Sequence, residues 1–146
     1  PTRSVQIQGG NIPDLAAFRS RMLGEYAGLW SEPTCQYLIS CYGSQIHKIA
    51  KLCREQPALN RALTNSRDTI AAQVVFAAQS ESVVHLTDIL FRRTDLCLLG
   101  DPGDPVLNDC AELAAAALGW SENRRLTELE LVRTELARSI PAAPNE

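Results

Sequence analysis

The chain has 146 residues, of which 45% are apolar and 21% charged, and its net charge is −3. This length suits one domain with its own core, and the acidic balance argues against the clustered basic surface typical of nucleic-acid-binding proteins. No apolar run reaches the roughly 18 residues of a membrane-spanning helix, and the first residues do not resemble a signal peptide. Composition therefore predicts a soluble, helical, intracellular protein.

The cysteines and histidines do not form a recognisable metal-binding pattern. The five cysteines lie at positions 35, 41, 53, 97 and 110, and no two form a C-x-x-C pair. His47 and His85 are far apart and lack cysteine or carboxylate neighbours at ligand spacing. We therefore expect reduced, half-buried cysteines, without a disulfide or a metal.

Proline, glycine and capping residues divide the chain into about seven predicted helices. In chain order these cover approximately residues 14–26, 31–42, 45–55, 68–78, 84–93, 104–119 and 121–140. No segment shows the sustained alternation of apolar and polar residues that marks a strand. The prediction is an all-α fold, a compact bundle of six or seven short helices without significant β-sheet. One domain should span residues 1–146, with loose tails at 1–10 and 141–146.

The last predicted helix carries its apolar residues on one face. These residues are Leu126, Leu129, Val132, Leu136 and Ile140. Their spacing follows the period of an α-helix, so we expect all five to point into the core.

The most informative segment holds two acidic and two basic residues between positions 81 and 93. Asp88 and Arg92 are four residues apart, which favours an ion pair on one helix. Glu81 lies on the same stripe only if the helix is continuous, because a turn near Ser82 would bring it from a different helix. We expect Glu81, Asp88, Arg92 and Arg93 to form a structural ion-pair cluster with at least one arginine buried. The alternative is capture of an anion or phosphate by the two arginines.

The sequence lacks the common motifs of catalysis and cofactor binding. It contains no G-x-G-x-x-G, no phosphate-binding loop, no G-x-S-x-G and no H-E-x-x-H. We therefore assign no catalytic, cofactor-binding or metal-binding residue.

Several short motifs resemble the C-terminal helical domain of FAD-dependent glycerol-3-phosphate dehydrogenases and the related α-glycerophosphate oxidases. That domain carries a Glu, then an Asp seven residues later, then Arg-Arg-Thr. The matching motifs here are Glu81, Asp88, Arg92-Arg93-Thr94, Gly9-Gly10, Tyr42-Gly43 and Leu118-Gly119-Trp120. The resemblance extends over about residues 9–136. It departs from the family at Gln73, where an acidic residue is common, and at Phe76, where a tyrosine is frequent.

The resemblance implies an all-helical domain that packs against a preceding flavin domain, with FAD and the substrate site held by that other domain. Its parent would oxidise sn-glycerol 3-phosphate to dihydroxyacetone phosphate and pass electrons from FAD to a quinone or to oxygen. The implied location is cytoplasmic, with the parent peripheral on the inner face of the cell membrane. The implied role of this chain is structural and non-catalytic, without a cofactor of its own, and a homo-oligomer stays open.

Two other interpretations of the sequence stay open. The chain could be a stand-alone helical interaction or regulatory module, or, with less support, a helix-turn-helix DNA reader that uses Arg92-Arg93 and Arg124-Arg125. If the domain is separated from a flavin domain, an apolar or aromatic patch should be exposed. The candidates for that patch are Trp30, Tyr37, Tyr42 and Trp120.

Overall fold

The computed structural model describes residues 9–64, 66, 69–98 and 100–139, and in these ranges the fold is all-α, which confirms the predicted class. The helices are α1 (Leu15–Tyr26), α2 (Glu32–Tyr42), α3 (Ile46–Glu55), α4 (Ala71–Ser80), α5 (Leu86–Asp88), α6 (Asp104–Leu118) and α7 (Glu122–Ser139). Extended pairing in the described ranges is limited to one isolated bridge.

The chain divides into two compact units, Pro1–Ala58 and Leu59–Glu146. The first unit contains α1 to α3 and the second contains α4 to α7. The expectation of one domain over the whole chain stays a prediction.

Helices in the first unit begin where side chains satisfy their first N–H groups. Asp14 accepts the N–H of Ala17 at 3.0 Å, and Ser31 accepts that of Thr34 at 3.3 Å. The apolar faces of α1 to α3 then form the core of this unit. Its buried members are Phe18, Met22, Tyr26, Trp30, Cys35, Leu38, Ile39, Tyr42, Ile46, Ile49, Ala50 and Cys53.

Two glycines allow the start of the described chain to lie against the junction of α2 and α3. Gly9 and Gly43 have φ angles of +87° and +52°, and the carbonyl of Gly9 accepts the N–H of Ser44 at 3.0 Å. A Cβ atom on Gly43 would collide with that carbonyl, and one on Gly9 would lie 2.8 Å from the carbonyl of Tyr42. Residues 1–8 and 141–146 of the expected tails lie outside the described residues, but Gly9 is a packed position.

In the second unit, α4 begins at Ala71, three residues later than predicted. Ile70 is extended and pairs with Ala62, and the N–H of Ala71 reaches the carbonyl of Arg61 at 2.9 Å. The side chain of Gln73 accepts the N–H of Ile70 at 2.9 Å, so it satisfies a donor at the start of the helix. Gln73, where this sequence departs from the pattern of the family that it resembles, is therefore a buried capping residue.

Helix α4 is the centre of the second unit, since every residue from Ala71 to Ala78 is buried. It packs against α6, which in turn packs against α7. Helix α6 ends at Gly119, which is left-handed at φ +67°, as its position after the apolar run predicts.

Several predicted side-chain environments are wrong. Leu126 is 48% exposed, and Glu128 takes the buried position on that part of α7. Trp30 and Tyr42 are buried in the first unit, so they cannot belong to an exposed aromatic patch. The predicted inward residue Ile140 lies outside the described part of the chain.

Four of the five cysteines are buried, and only Cys41 is exposed. Burial raises the pKa of the Cys53 and Cys97 thiols to about 11 and that of Cys110 to about 12. These groups are therefore neutral thiols at physiological pH. Among the described residues there is no cluster of three or more potential metal ligands, and no helix has the length and apolarity to cross a bilayer.

Candidate functional site: a polar cluster between α5 and α7

The predicted fifth helix is a single α-turn that continues into a π-helical turn, Ile89–Arg93. Asp88 holds its start, because its carboxylate accepts the N–H groups of Val84 at 3.1 Å and His85 at 2.9 Å. Burial of Asp88 favours its neutral form, but these two donors and Arg92 outweigh that effect and lower the pKa of the carboxyl. Asp88 is thus a charged capping residue.

Arg92 forms the predicted ion pair with Asp88, but neither arginine of the segment is buried. The Arg92 side chain is 70% exposed, and Arg93 is also exposed. The expectation of a buried arginine is wrong because the apolar Ile89 and Leu90 occupy the inward positions of this turn. A guanidinium is costly to bury, whereas these side chains gain from burial.

Glu81 reaches this region from the end of α4. Helix α4 stops at Ser80, and Ser82 has a φ angle of +55°, so the chain turns before α5. Burial raises the pKa of Glu81, and the nearby positive charge of Arg93 partly offsets the increase. The turn near Ser82 therefore separates Glu81 from the Asp88 stripe. The action of all four residues as one structural cluster stays a prediction.

The buried carboxylate of this region belongs to Glu128 on α7, which sequence analysis missed. It is fully buried and accepts the backbone N–H of Leu86 at 2.9 Å. It also contacts Nδ1 of His85 at 3.0 Å and Nη2 of Arg124 at 2.6 Å. The sequence does contain a signal for the burial of Glu128. It lies four residues before Val132, and this spacing places both side chains on the inward face of the helix.

His85 and Arg124 complete the surroundings of the buried carboxylate. The carboxylate can only accept, so Nδ1 of His85 donates to it, and the His85 side chain is 45% exposed. Arg124 lies over the ring of Trp120, with 5.8 Å between its guanidinium carbon and the ring centroid. Both partners of Glu128 can reach solvent while the carboxylate itself cannot.

A second ionic link joins the loop before α4 to α6. Arg61 donates to both carboxylate oxygens of Asp109, one of them at 2.7 Å, and the N–H of Thr64 lies 3.5 Å away. The hydrogen bonds from Arg61 lower the pKa of Asp109 in spite of its burial. The Asp109 side chain is only 11% exposed, whereas that of Arg61 is 48% exposed, so the carboxylate is shielded from solvent and its partner is not.

Four charged side chains of this region that could bind a ligand are already paired within the chain. Asp88 and Glu128 each accept from backbone and side-chain donors, and Arg92 and Arg124 each face a carboxylate. Such mutual satisfaction stabilises the packing of short helices and opposes anion capture by the arginines. The geometry of the cluster therefore favours a structural role.

Comparison with known proteins identifies the family. The family described as the C-terminal domain of alpha-glycerophosphate oxidase matches residues 1–125. Glycerol-3-phosphate dehydrogenase 2 of Mycobacterium tuberculosis, and that of Mycobacterium bovis, are 29% identical over 87 residues, which is 59% of this chain and 15% of theirs. Glycerol-3-phosphate dehydrogenase of Synechocystis sp. is 29% identical over 103 residues, 70% of this chain and 19% of its own length.

The chain thus spans less than one fifth of the curated relatives that it matches. The family match covers the first structural unit and the second as far as residue 125, and Glu128 lies three residues beyond its end. The motifs at Glu81–Thr94 and Gly119-Trp120 lie within it, as the sequence resemblance implied. This chain belongs to the family of C-terminal domains of alpha-glycerophosphate oxidase.

Proposed function

We propose that this chain is the structural C-terminal domain of an FAD-dependent glycerol-3-phosphate dehydrogenase and is not catalytic by itself. The parent enzyme oxidises sn-glycerol 3-phosphate to dihydroxyacetone phosphate and passes electrons from FAD to a quinone or to oxygen. The observation that carries the proposal is the family match over residues 1–125. The names of the similar dehydrogenases support it.

The polar cluster supports the structural part of this proposal. The buried carboxylate of Glu128 binds a backbone N–H and two side chains of the same unit, so its partners are internal. The exposed Arg92 is paired with Asp88, which caps the start of α5. A domain of this kind contributes a rigid helical surface to a larger chain, and its partner is the preceding flavin and substrate domain. The proposed location is cytoplasmic, with quinone-linked parents at the inner face of the membrane.

A domain exchange tests this function directly. The corresponding C-terminal segment of the Synechocystis dehydrogenase is deleted or replaced by this chain, and bound flavin and glycerol 3-phosphate oxidation are measured. We expect deletion to reduce flavin retention or activity and the exchange to restore much of the loss. An active deletion variant, or an exchanged enzyme that folds but stays as inactive as the deletion, contradicts the proposal.

Ligand titration of the chain alone tests its non-catalytic character. We expect no saturable heat on addition of FAD or glycerol 3-phosphate, because the sequence has no glycine-rich phosphate-binding loop. A flavin absorbance band that stays with the protein through gel filtration would place a cofactor site in this chain instead.

A further inference from the structure

One side of α7 exposes apolar and aromatic side chains whose role the proposed function leaves open. Trp120 precedes this helix and is half-buried, and the guanidinium carbon of Arg124 lies 5.8 Å from the centroid of its ring. Arg124, Glu128 and Leu131 follow at the spacing i, i+4 and i+7, so they lie along the same side of α7. Leu131 is large and apolar, yet it is 44% exposed.

The segment at the start of α5 lies against this side of α7. The N–H of Leu86 binds the buried carboxylate of Glu128, and Nδ1 of His85 lies 3.0 Å from the same carboxylate. Nδ1 of His85 is also 3.4 Å from Nη2 of Arg124. Val84, the preceding residue, is 62% exposed. We name the exposed and half-buried side chains grouped around Glu128 the α7 face; they are Val84, His85, Trp120, Arg124 and Leu131.

The composition of the α7 face is that of a contact between proteins or domains. Trp and Arg are enriched among the residues that dominate binding energy at such contacts. Single exposed aliphatic side chains are common on protein surfaces, but here Val84 and Leu131 flank one Trp–Arg pair. Arg124 already faces the carboxylate of Glu128, so covering the face would not bury an unpaired positive charge.

Glu128 also holds the α7 face in one geometry. Its carboxylate is fully buried and binds a backbone N–H from α5 together with side chains from both sides of the contact. A surface that is already fixed loses less conformational freedom when a partner covers it. The face is therefore prepared for docking before a partner arrives.

The lengths of the relatives favour one occupant for this face. The matched segments make up only 15% to 19% of the curated relatives, so more than four fifths of each relative lies outside the match. A domain within such a chain is joined to a much larger body. Contacts between domains of one chain typically bury roughly 600 to 1,500 Å² of mixed apolar and polar surface, which suits the composition of the α7 face.

We propose that the α7 face is the surface through which this domain packs against the preceding flavin and substrate domain of the parent enzyme. This inference rests on the proposed function and adds the position of the contact. The facing surface presents apolar side chains to Val84 and Leu131. It also presents a carbonyl or carboxylate oxygen to Arg124, since a guanidinium carries more N–H donors than the contact with Glu128 uses.

Footprinting with hydroxyl radicals tests the position of the contact. Oxidation of each side chain is measured by mass spectrometry in this chain alone and in the Synechocystis dehydrogenase that carries this chain in exchange. We expect oxidation of Val84, Trp120 and Leu131 to be several-fold slower in the exchanged enzyme. The control is Leu126, which should be oxidised equally in both proteins. It is 48% exposed and lies two residues from Glu128, which places it on nearly the opposite side of α7.

Charged variants test whether the contact stabilises the enzyme. We expect Leu131→Glu to lower the temperature at which the exchanged enzyme releases its flavin by several degrees, because docking would bury a carboxylate without a partner. Leu126→Glu is the matched substitution on the same helix and should leave that temperature unchanged. Both variants should leave the melting temperature of the chain alone nearly unchanged, because both leucines are exposed there. Equal effects of the two variants on flavin release would contradict the inference.

The outcomes distinguish this inference from the proposed function. An exchanged enzyme that is active, but in which Val84 and Leu131 are oxidised as fast as in the chain alone, overturns the α7 face and leaves the proposed function intact. Protection of these residues in a dimer of the chain alone would assign the face to a second copy and also overturn the inference. An exchanged enzyme that folds but stays inactive contradicts the proposed function, and the inference fails with it.

Discussion

The carboxylate of Glu128 on α7 accepts the backbone N–H of Leu86, the first residue of α5, at 2.9 Å. A helix of one α-turn cannot supply its own stability. Its first N–H is satisfied by a side chain 42 residues later in the sequence. The position of α5 therefore depends on α7.

We predict that Glu128→Ala lowers the free energy of unfolding by roughly 2 to 4 kcal/mol, because it leaves a buried N–H without its acceptor and removes the partner of two side chains. Urea denaturation followed by circular dichroism measures the change. Glu130→Ala is the matched control on the same helix, since its carboxylate is 71% exposed. Equal effects of the two substitutions would contradict the structural role of Glu128.

Asp88 and Arg92 should differ in their effects although they form one ion pair. Arg92→Gln removes only an exposed partner and should cost at most about 1 kcal/mol. Asp88→Asn weakens the acceptor of two backbone N–H groups and should cost about 1 to 2 kcal/mol. Thermal unfolding of both variants checks this order. A larger loss for the arginine would restore the interpretation of a buried brace.

The Arg61–Asp109 pair predicts a component of acid sensitivity. The pKa of Asp109 is lower in the folded chain than in the unfolded chain, where an aspartate titrates near about 3.9. Its stabilisation is therefore complete above that pH and is lost as the pH falls through the lower, folded-state pKa. Urea unfolding between neutral pH and pH 3 should show a smaller loss of stability on acidification in Asp109→Asn.

Arg61→Gln provides the matching test, because it removes the donors that lower the pKa of Asp109. Its acid sensitivity should resemble that of Asp109→Asn, and the double variant should add little. Independent, additive effects of the two substitutions would show that the residues do not act as a pair.

The contact between Gly9 and Gly43 predicts that alanine is poorly tolerated at position 43. A methyl group there meets a backbone carbonyl, and the φ angle is unfavourable for alanine, so the cost should be on the order of 1 to 3 kcal/mol. Faster amide exchange at Ser44, whose N–H binds Gly9, should accompany the loss.

Alanine variants at two other glycines distinguish the steric contact at position 43 from the effect of a positive φ angle. Gly28→Ala adds a methyl group in open space, and Gly119→Ala meets a positive φ of +67° without a steric neighbour. Only Gly43→Ala should speed exchange at Ser44. Equal exchange in all three variants would show that the glycine contact does not hold this segment.

Local signals in the sequence predict most helix ends correctly. Ser31 and Asp14 are capping residues that act within one turn, and Gly119 permits a left-handed end, so their roles follow from near neighbours. The start of α4 could not be found this way. It depends on pairing between Ile70 and Ala62, which is a contact across a loop.

In the candidate site, too, only contacts between near neighbours in the sequence could be predicted. The pair of Asp88 and Arg92 lies within one turn and is visible in the sequence. Glu128 binds a backbone group 42 residues away, and Arg61 binds Asp109 from 48 residues away. Such partners are chosen by helix packing, which spacing alone does not determine. The buried carboxylate of this region, Glu128, comes from α7 for this reason, and it was not predicted.

The burial of four cysteines makes the native chain suitable for labelling at one position. Their pKa values are all raised, so they are thiols protected from reagents that attack thiolates. Cys41, at the exposed side of α2, is left as the accessible sulfur. A maleimide dye should therefore attach there without any substitution, and its fluorescence would report on the first unit alone.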